Sequence, residues 1–258
     1  MNQEKIVEPQ HLQAGQGWQW IKQGYALFMK APLLWVALIV ICFVAGAILS
    51  AIPVVGDILS SLLMPAVVAG LMTGCRALEQ DEELELAHLF NGFKHRTSQL
   101  VTLGGISLVA QLLILGAMMA VGGATLVGIL ISGQQPENPQ VIMQAFAGAG
   151  FAIMLGLVLF SILIMAMQFA PMLVYFHNVA PVDALKLSLR AFLANMGPML
   201  VYGLVLMLLA VLATIPIMLG WLVLLPVIFT SLYASYNSIF PPVAEIAADT
   251  TAENGTEA

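Results

Sequence analysis

Charge is what this chain has least of. Only 9% of its 258 residues are Asp, Glu, Lys or Arg, while 60% are hydrophobic. Soluble domains carry about 25% charged and about 45–50% apolar residues. So little polar surface cannot cover a folded body in water, and the natural solvent is a lipid bilayer. Cysteine is scarce too. Cys42 and Cys75 are too few for a disulfide framework, and each lies in an apolar run, where it reads as a small buried hydrophobe. The net charge of −6 does not favour nucleic acid as a partner.

Catalytic and metal-binding patterns are also missing. No HExxH, GxSxG or P-loop occurs. An intramembrane aspartyl site needs two carboxylates at depth, and Asp57 stands alone in its apolar surroundings. His88 and His95 are two helical turns apart, too far for joint coordination; His11 sits in a polar tail and His177 at the end of an apolar run. The 15 methionines are scattered: Met165 and Met167 are i, i+2, and Met118 and Met119 are adjacent, so neither pair shares a helix face as a copper path would require. The expectation is no enzyme activity, no cofactor and no metal.

What the chain does have is hydrophobic length. A spanning helix needs about 20 mostly apolar residues. Runs at 32–52, 58–75, 100–131, 145–176, 199–215 and 221–240 meet or approach that length. The first begins too late and lasts too long for a signal peptide. The expected fold is all-α, a polytopic bundle of six spans occupying 15–240, after a polar tail at 1–14 and before a disordered acidic tail at 241–258. The third and fourth runs are over-long; they can tilt, break at Gly122-Gly123, or project beyond the bilayer.

Lys and Arg assign sides. With six spans, all 8 of these residues (Lys5, Lys22, Lys30, Arg76, Lys94, Arg96, Lys186 and Arg190) fall on the side shared by the termini. The positive-inside rule then predicts a bacterial inner (cytoplasmic) membrane protein with both termini inside. The opposite side holds three short links, near Val54–Asp57, Ser132–Gln140 and Ile217–Gly220.

An internal repeat runs through this pattern. Ile52-Pro53, Gly56 and Pro65 find counterparts in Ile215-Pro216, Gly220 and Pro226, given small gaps. Proline and glycine there stop one helix and turn tightly into the next, and Asp57 is placed to cap the second helix and face its positive end. Pro65 and Pro226 lie within spans and are expected to kink them. Short amphipathic helices precede each hairpin, with apolar faces at Trp18, Ile21, Tyr25 and Phe28, at Leu86, Leu89, Phe90 and Phe93, and at Leu185, Leu189 and Phe192. The chain thus reads as three parallel copies of one unit, an amphipathic helix followed by a hydrophobic hairpin. These helices either lie in the membrane interface among lipid headgroups or pack against the bundle and close its face.

Transporters and pumps keep ionisable residues inside their spans; these spans hold none. The central polar candidates are Gln111 and Gln168, which can bond each other or nearby backbone. Tyr202 can add to a polar track or serve as an interfacial anchor. Ala66, Gly70 and Gly74 form a small-residue series that favours close packing within the chain over dimerisation.

The run Gly15-x-Gly17-Trp18-x-Trp20-Ile21-x-x-Gly24-Tyr25-x-Leu27-Phe28, then Ala31-Pro32-x-x-Trp35, resembles a bacterial family of uncharacterised six-span inner-membrane proteins. The Ile-Pro-x-x-Gly turn, Pro65, Gly70 and Phe90-x-x-Phe93 fit as well, and the resemblance covers about 14–240. The layout is similar to the membrane domain attached to some glycerophosphodiester phosphodiesterases. The resemblance implies a six-helix fold in the cytoplasmic membrane and no reaction, since the soluble hydrolase domain is not part of this sequence. Two functional expectations follow: a non-enzymatic membrane protein in envelope homeostasis or as a partner subunit, or a transporter or lipid-handling protein for an apolar substrate. Membrane lipids are the expected partners, with a protein partner or a homo-oligomer left open.

Overall fold

A computed structural model describes residues 8–123, 139–215 and 218–241. The acidic tail from 242, most of the link at 132–140, and Pro216 lie outside them. Helix α1 (Gln16–Lys30) leads into α2 (Pro32–Ser50) and α3 (Val55–Glu79). A 3-10 turn (Leu86–Phe90) and the one-turn α4 (Asn91–Lys94) precede α5 (Thr97–Met118), which ends in a π turn at Met119–Gly123. Then come α6 (Pro139–His177), α7 (Pro181–Ala194), α8 (Met196–Thr214) and α9 (Trp221–Ile239). Among the described residues, 6 helices are long and apolar enough to cross a membrane: α2, α3, α5, α6, α8 and α9. The over-long third run does break at Gly122.

The helices form two groups. Helices α1, α2, α8 and α9 pack together, as do α5, α6 and α7, and α3 touches both. The groups meet at the end where α1 and α7 lie, around a core holding Trp20, Trp35, Phe169 and Phe240 at 0–1% exposure. Elsewhere large apolar side chains face outward, such as Leu33, Phe43, Leu113 and Leu157. That inversion is what a lipid solvent asks for.

The amphipathic helices pack onto the bundle. The buried face of α1 is Gly17, Trp20, Ile21, Gly24 and Phe28, whereas Trp18 and Tyr25 are 47% and 50% exposed. The expected face is therefore rotated. The reason is backbone contact: α1 crosses α9 at Gly24 and α8 at Gly17, where any Cβ would strike the neighbouring chain. On α7 the buried positions are Ala184, Ser188 and Ala191, with Leu185, Leu189 and Phe192 flanking them half-buried. The middle element is not a continuous amphipathic helix. Residues 82–85 are not helical, Glu85 is extended, His88 and Glu85 close a capping box, and Leu86 and Phe90 are exposed. The link instead lays its backbone on α3, where Gly92 meets Ala66 and Leu89 meets Gly70, and the Leu84 side chain meets Gly74. The small-residue series thus receives the chain's own link.

Residues 8–14 are held down. Asn195, fully buried, accepts from the Leu12 N–H (2.9 Å) and donates to the Gln10 and Ala191 carbonyls (2.9 and 3.0 Å). Gln10 N–H also donates to the Ile239 carbonyl (2.9 Å), and His11 Nδ1 lies 3.1 Å from the Ala194 carbonyl oxygen. At the same end Lys30 donates to the Leu78 carbonyl and to Asp81, which it holds below the usual carboxylate range. That bridge is exposed, so it adds little stability.

The first and last hairpins turn alike. Val54 and Met218 have φ of 65° and 64°, each two residues before a glycine. A Cβ on Gly56 would run into the Leu49 carbonyl, and one on Gly220 would lie 2.5 Å from Ala213 Cα, each seven residues back. Asp57 sits in the first turn of α3, near its positive end, but makes no capping bond; Val54 is the cap residue. Pro65 and Pro226 lie inside uninterrupted helices.

At Val54 the Val55 N–H donates to the Pro53 carbonyl at 2.7 Å, closing a γ-turn of the strained kind. Val54 is 69% exposed, so its side chain contributes little packing. Relief of the strain is worth about 1–3 kcal/mol, and the extra freedom of glycine in the unfolded chain takes back about 0.4–1 kcal/mol. Val54→Gly is therefore expected to stabilise by about 1 kcal/mol, read as a rise of a few degrees in Tm in detergent.

Candidate membrane-embedded binding cleft

Between the two helix groups lies a cleft of about 610 Å³, backed by α3. One feature that shapes it is a break in the α6 ladder. Pro171 supplies no N–H, and two residues earlier the Ser188 hydroxyl of α7 inserts itself, accepting from Phe169 N–H (3.0 Å) and donating to the Met165 carbonyl (2.9 Å). A proline and an inserted hydroxyl are recognised causes of helix bending. The cleft borders this stretch at Met167, Gln168 and Pro171.

The walls are mainly aliphatic and aromatic, with Val68, Phe160, Leu163, Leu206 and Ile228 among them. A minority of polar residues shares the surface: Ser60 and Ser61 from α3, Ser107 and Gln111 from α5, Gln168 from α6 and Tyr202 from α8. None of the lining residues is an acid, a base or a histidine.

All three polar candidates named from the sequence border this one space, but not in the expected arrangement. Gln111 and Gln168 do not bond each other. Gln111 Nε2 donates to Ser107 Oγ one turn back on its own helix (3.1 Å). Gln168 Nε2 donates to the Met199 sulfur at 3.7 Å, a weak acceptor that ties α6 to α8. Tyr202 is no interfacial anchor. It is 6% exposed, stands edge-on to Trp20, and shares a hydrogen bond with Ser231 Oγ at 2.9 Å. Its hydroxyl joins α8 to α9, and its remaining contribution to the cleft is wall.

Sequence reasoning passed over Ser60, Ser61 and Ser107, because serine inside an apolar run commonly bonds its own backbone. Here Ser107 bonds Gln111, and the Ser60 and Ser61 hydroxyls have no protein partner among the described residues. A second polar group lies at the α1 end. Glu79 accepts from Tyr233 (2.7 Å) and Asn237 (3.0 Å), and Arg76 stacks 5.4 Å from the Phe176 ring centroid. His177 Nδ1 and the Tyr236 hydroxyl are 2.5 Å apart. These contacts hold the helix ends together, and none of them borders the cleft. Among the described residues, no three of His, Cys, Asp and Glu come together as a metal site would need.

A probable inner membrane protein of Burkholderia thailandensis is 31% identical over 193 residues, covering 73% of this chain and 71% of that one. The chain belongs to that protein's family. As an inner membrane protein it has the solvent that its outward apolar surface requires, and the 6 spans are its membrane body. The relative's name gives a place in the cell and no activity. No family model matches the chain. No solved structure matches it either.

Proposed function

We propose that this inner membrane protein is a non-enzymatic lipid-handling protein, whose cleft takes the hydrocarbon of an amphiphile while its polar minority meets the head. The cleft carries the reading. It is large enough for a small ligand, its walls are apolar, and it lies between two helix groups within the membrane-spanning part. An apolar cargo needs no buried charge, which fits spans without ionisable residues at the cleft.

Blocking the space tests this. Val68 is half-buried at the cleft wall on α3. Native mass spectrometry of the purified chain should show lipid retained through detergent washing, and Val68→Trp should reduce it about tenfold, a loss of about 1.4 kcal/mol of binding, with Tm little changed. Equal retention by both proteins would remove the reading.

The proposal includes orientation, with both termini in the cytoplasm. The docked segment 8–14, Lys30 and Arg76 share one end with the link after α3 and with α7, which carries Lys186 and Arg190, and clustered bases mark the cytoplasmic side. In a cysteine-free background, Lys94→Cys should resist a membrane-impermeant maleimide in intact cells and react in inverted vesicles. Labelling in intact cells would reverse the topology. The matching turns at Val54 and Met218 support duplication of the first and last hairpins.

A further inference from the structure

The polar groups of the cleft restrict the head it can accept. Resting on the lipid-handling reading, we infer that the ligand is uncharged, a lipid whose head is a free hydroxyl on one or two hydrocarbon chains, and that anionic phospholipids are excluded.

Charge comes first. A phosphate brought from water into apolar surroundings needs a cation or a dense set of donors. No lining residue is Lys, Arg or His. Arg76, the base nearest along α3, is about 12 Å beyond Val68 on the helix axis, and its guanidinium is occupied on the Phe176 ring. The other described bases lie on α1, on the link before α5, or on α7. Nothing in the cleft can compensate an anion.

Hydrogen bonding comes second. The hydroxyls of Ser60 and Ser61 and the amide oxygens of Gln111 and Gln168 have no protein partner among the described residues, while each amide nitrogen has one partner for its two hydrogens. An amide oxygen needs a donor. A hydroxyl head donates and accepts in one group, so it suits a serine hydroxyl and an amide oxygen alike, whichever of them it reaches. A quinone carbonyl or an ester only accepts, and would leave the amide oxygens unmatched.

The rim comes third. Asp57 precedes Ser61, Met64 and Val68 at helical spacing, so it stands one turn beyond the cleft on the same face of α3. It is exposed, and its carboxylate is not used as a cap. A negative charge there repels phosphate heads and accepts from a passing hydroxyl.

The full chain in phosphatidylcholine nanodiscs is cross-linked with photoactivatable diacylglycerol, polyprenol or phosphatidic acid of matched chain length, and the labelled peptides are mapped. At least one hydroxyl lipid should label 60–68 or 160–171 about tenfold more than phosphatidic acid does; comparing the two hydroxyl arms identifies the source. Asp57→Lys should raise phosphatidic acid labelling severalfold. Equal labelling of the cleft by phosphatidic acid and both hydroxyl lipids in the unaltered chain overturns the inference and leaves the lipid cleft standing. Absence of cleft labelling by every probe overturns both.

Discussion

Gly24→Leu is expected to leave little folded protein in the membrane. At Gly24 the backbone of α1 rests on that of α9. A Cβ there would lie 2.5–2.6 Å from the backbone nitrogen, Cα and Cβ of Ser231, and Thr230 Oγ1 donates to the Gly24 carbonyl at 2.8 Å. Neither side can yield cheaply. Thr230 and Ser231 are fully buried, and Trp20, one turn earlier on the same face of α1, is locked at 0% exposure. Overpacking a core usually costs about 1–3 kcal/mol through side-chain adjustment. Here the obstacle is main chain, so the cost lies at or above the top of that range, a large part of a typical stability of about 5–15 kcal/mol. Fluorescence-detected size exclusion should show collapse of the monodisperse peak. Gly46→Leu is the control: a Cβ at Gly46 meets nothing within 4 Å, so that variant should elute and melt like the parent. If Gly24→Leu does the same, the α1–α9 contact is wrong.

Asn195→Ala is the second large effect. One buried side chain holds three backbone groups: the Leu12 N–H and the carbonyls of Gln10 and Ala191. Ala191 still receives the Asn195 backbone N–H at 3.1 Å, so the groups left without a partner belong to the N-terminal segment. Stranding them costs about 1–3 kcal/mol each if they stay buried, and less if the segment swings into water. The expected outcome is a loss of about 3 kcal/mol, with new protease cleavage between residues 8 and 14. A fall in Tm without new cleavage would mean that Asn195 acts within α7 alone.

These two sites show where the sequence was readable and where it was not. The spans at α2 and α8 are legible because hydropathy alone sets them. The C-terminal end of α3 is not: the apolar run stops at Cys75, yet the helix continues to Glu79. Arg76 and Glu79 are accommodated by Phe176, Tyr233 and Asn237, all distant in sequence. The face of α1 is misplaced for a related reason. Hydrophobic periodicity favours Trp18 and Tyr25, but glycines mark the closest approach, and they carry no hydropathy signal. The link before α5 has a helical pattern that gives way to a backbone docked on Ala66 and Gly70. As for the cleft, polarity within an apolar run pointed to Gln111, Gln168 and Tyr202. It could not reveal that the glutamines face one shared space rather than each other, since that depends on how far apart α5 and α6 stand from α8 and α9.

The length of α6 has a consequence for the surrounding lipid. Its stretch Ala147–His177 has 31 residues, about 46 Å of helix, against about 30 Å of hydrocarbon. Tilt alone would require about 50°, outside the roughly 0–40° that membrane helices adopt. Gly104 of α5 rests beside Leu62, about 10 Å from the start of α3. The contact of Gly122 with Gly148 therefore lies about 17 Å past the turn between α2 and α3. Exposed Phe151, Ile153 and Met154 line that outlying stretch of α6. Lipid tails on that flank must stretch upward to cover them while those beside α2 stay compressed, so the collar of lipid around this molecule is uneven in height.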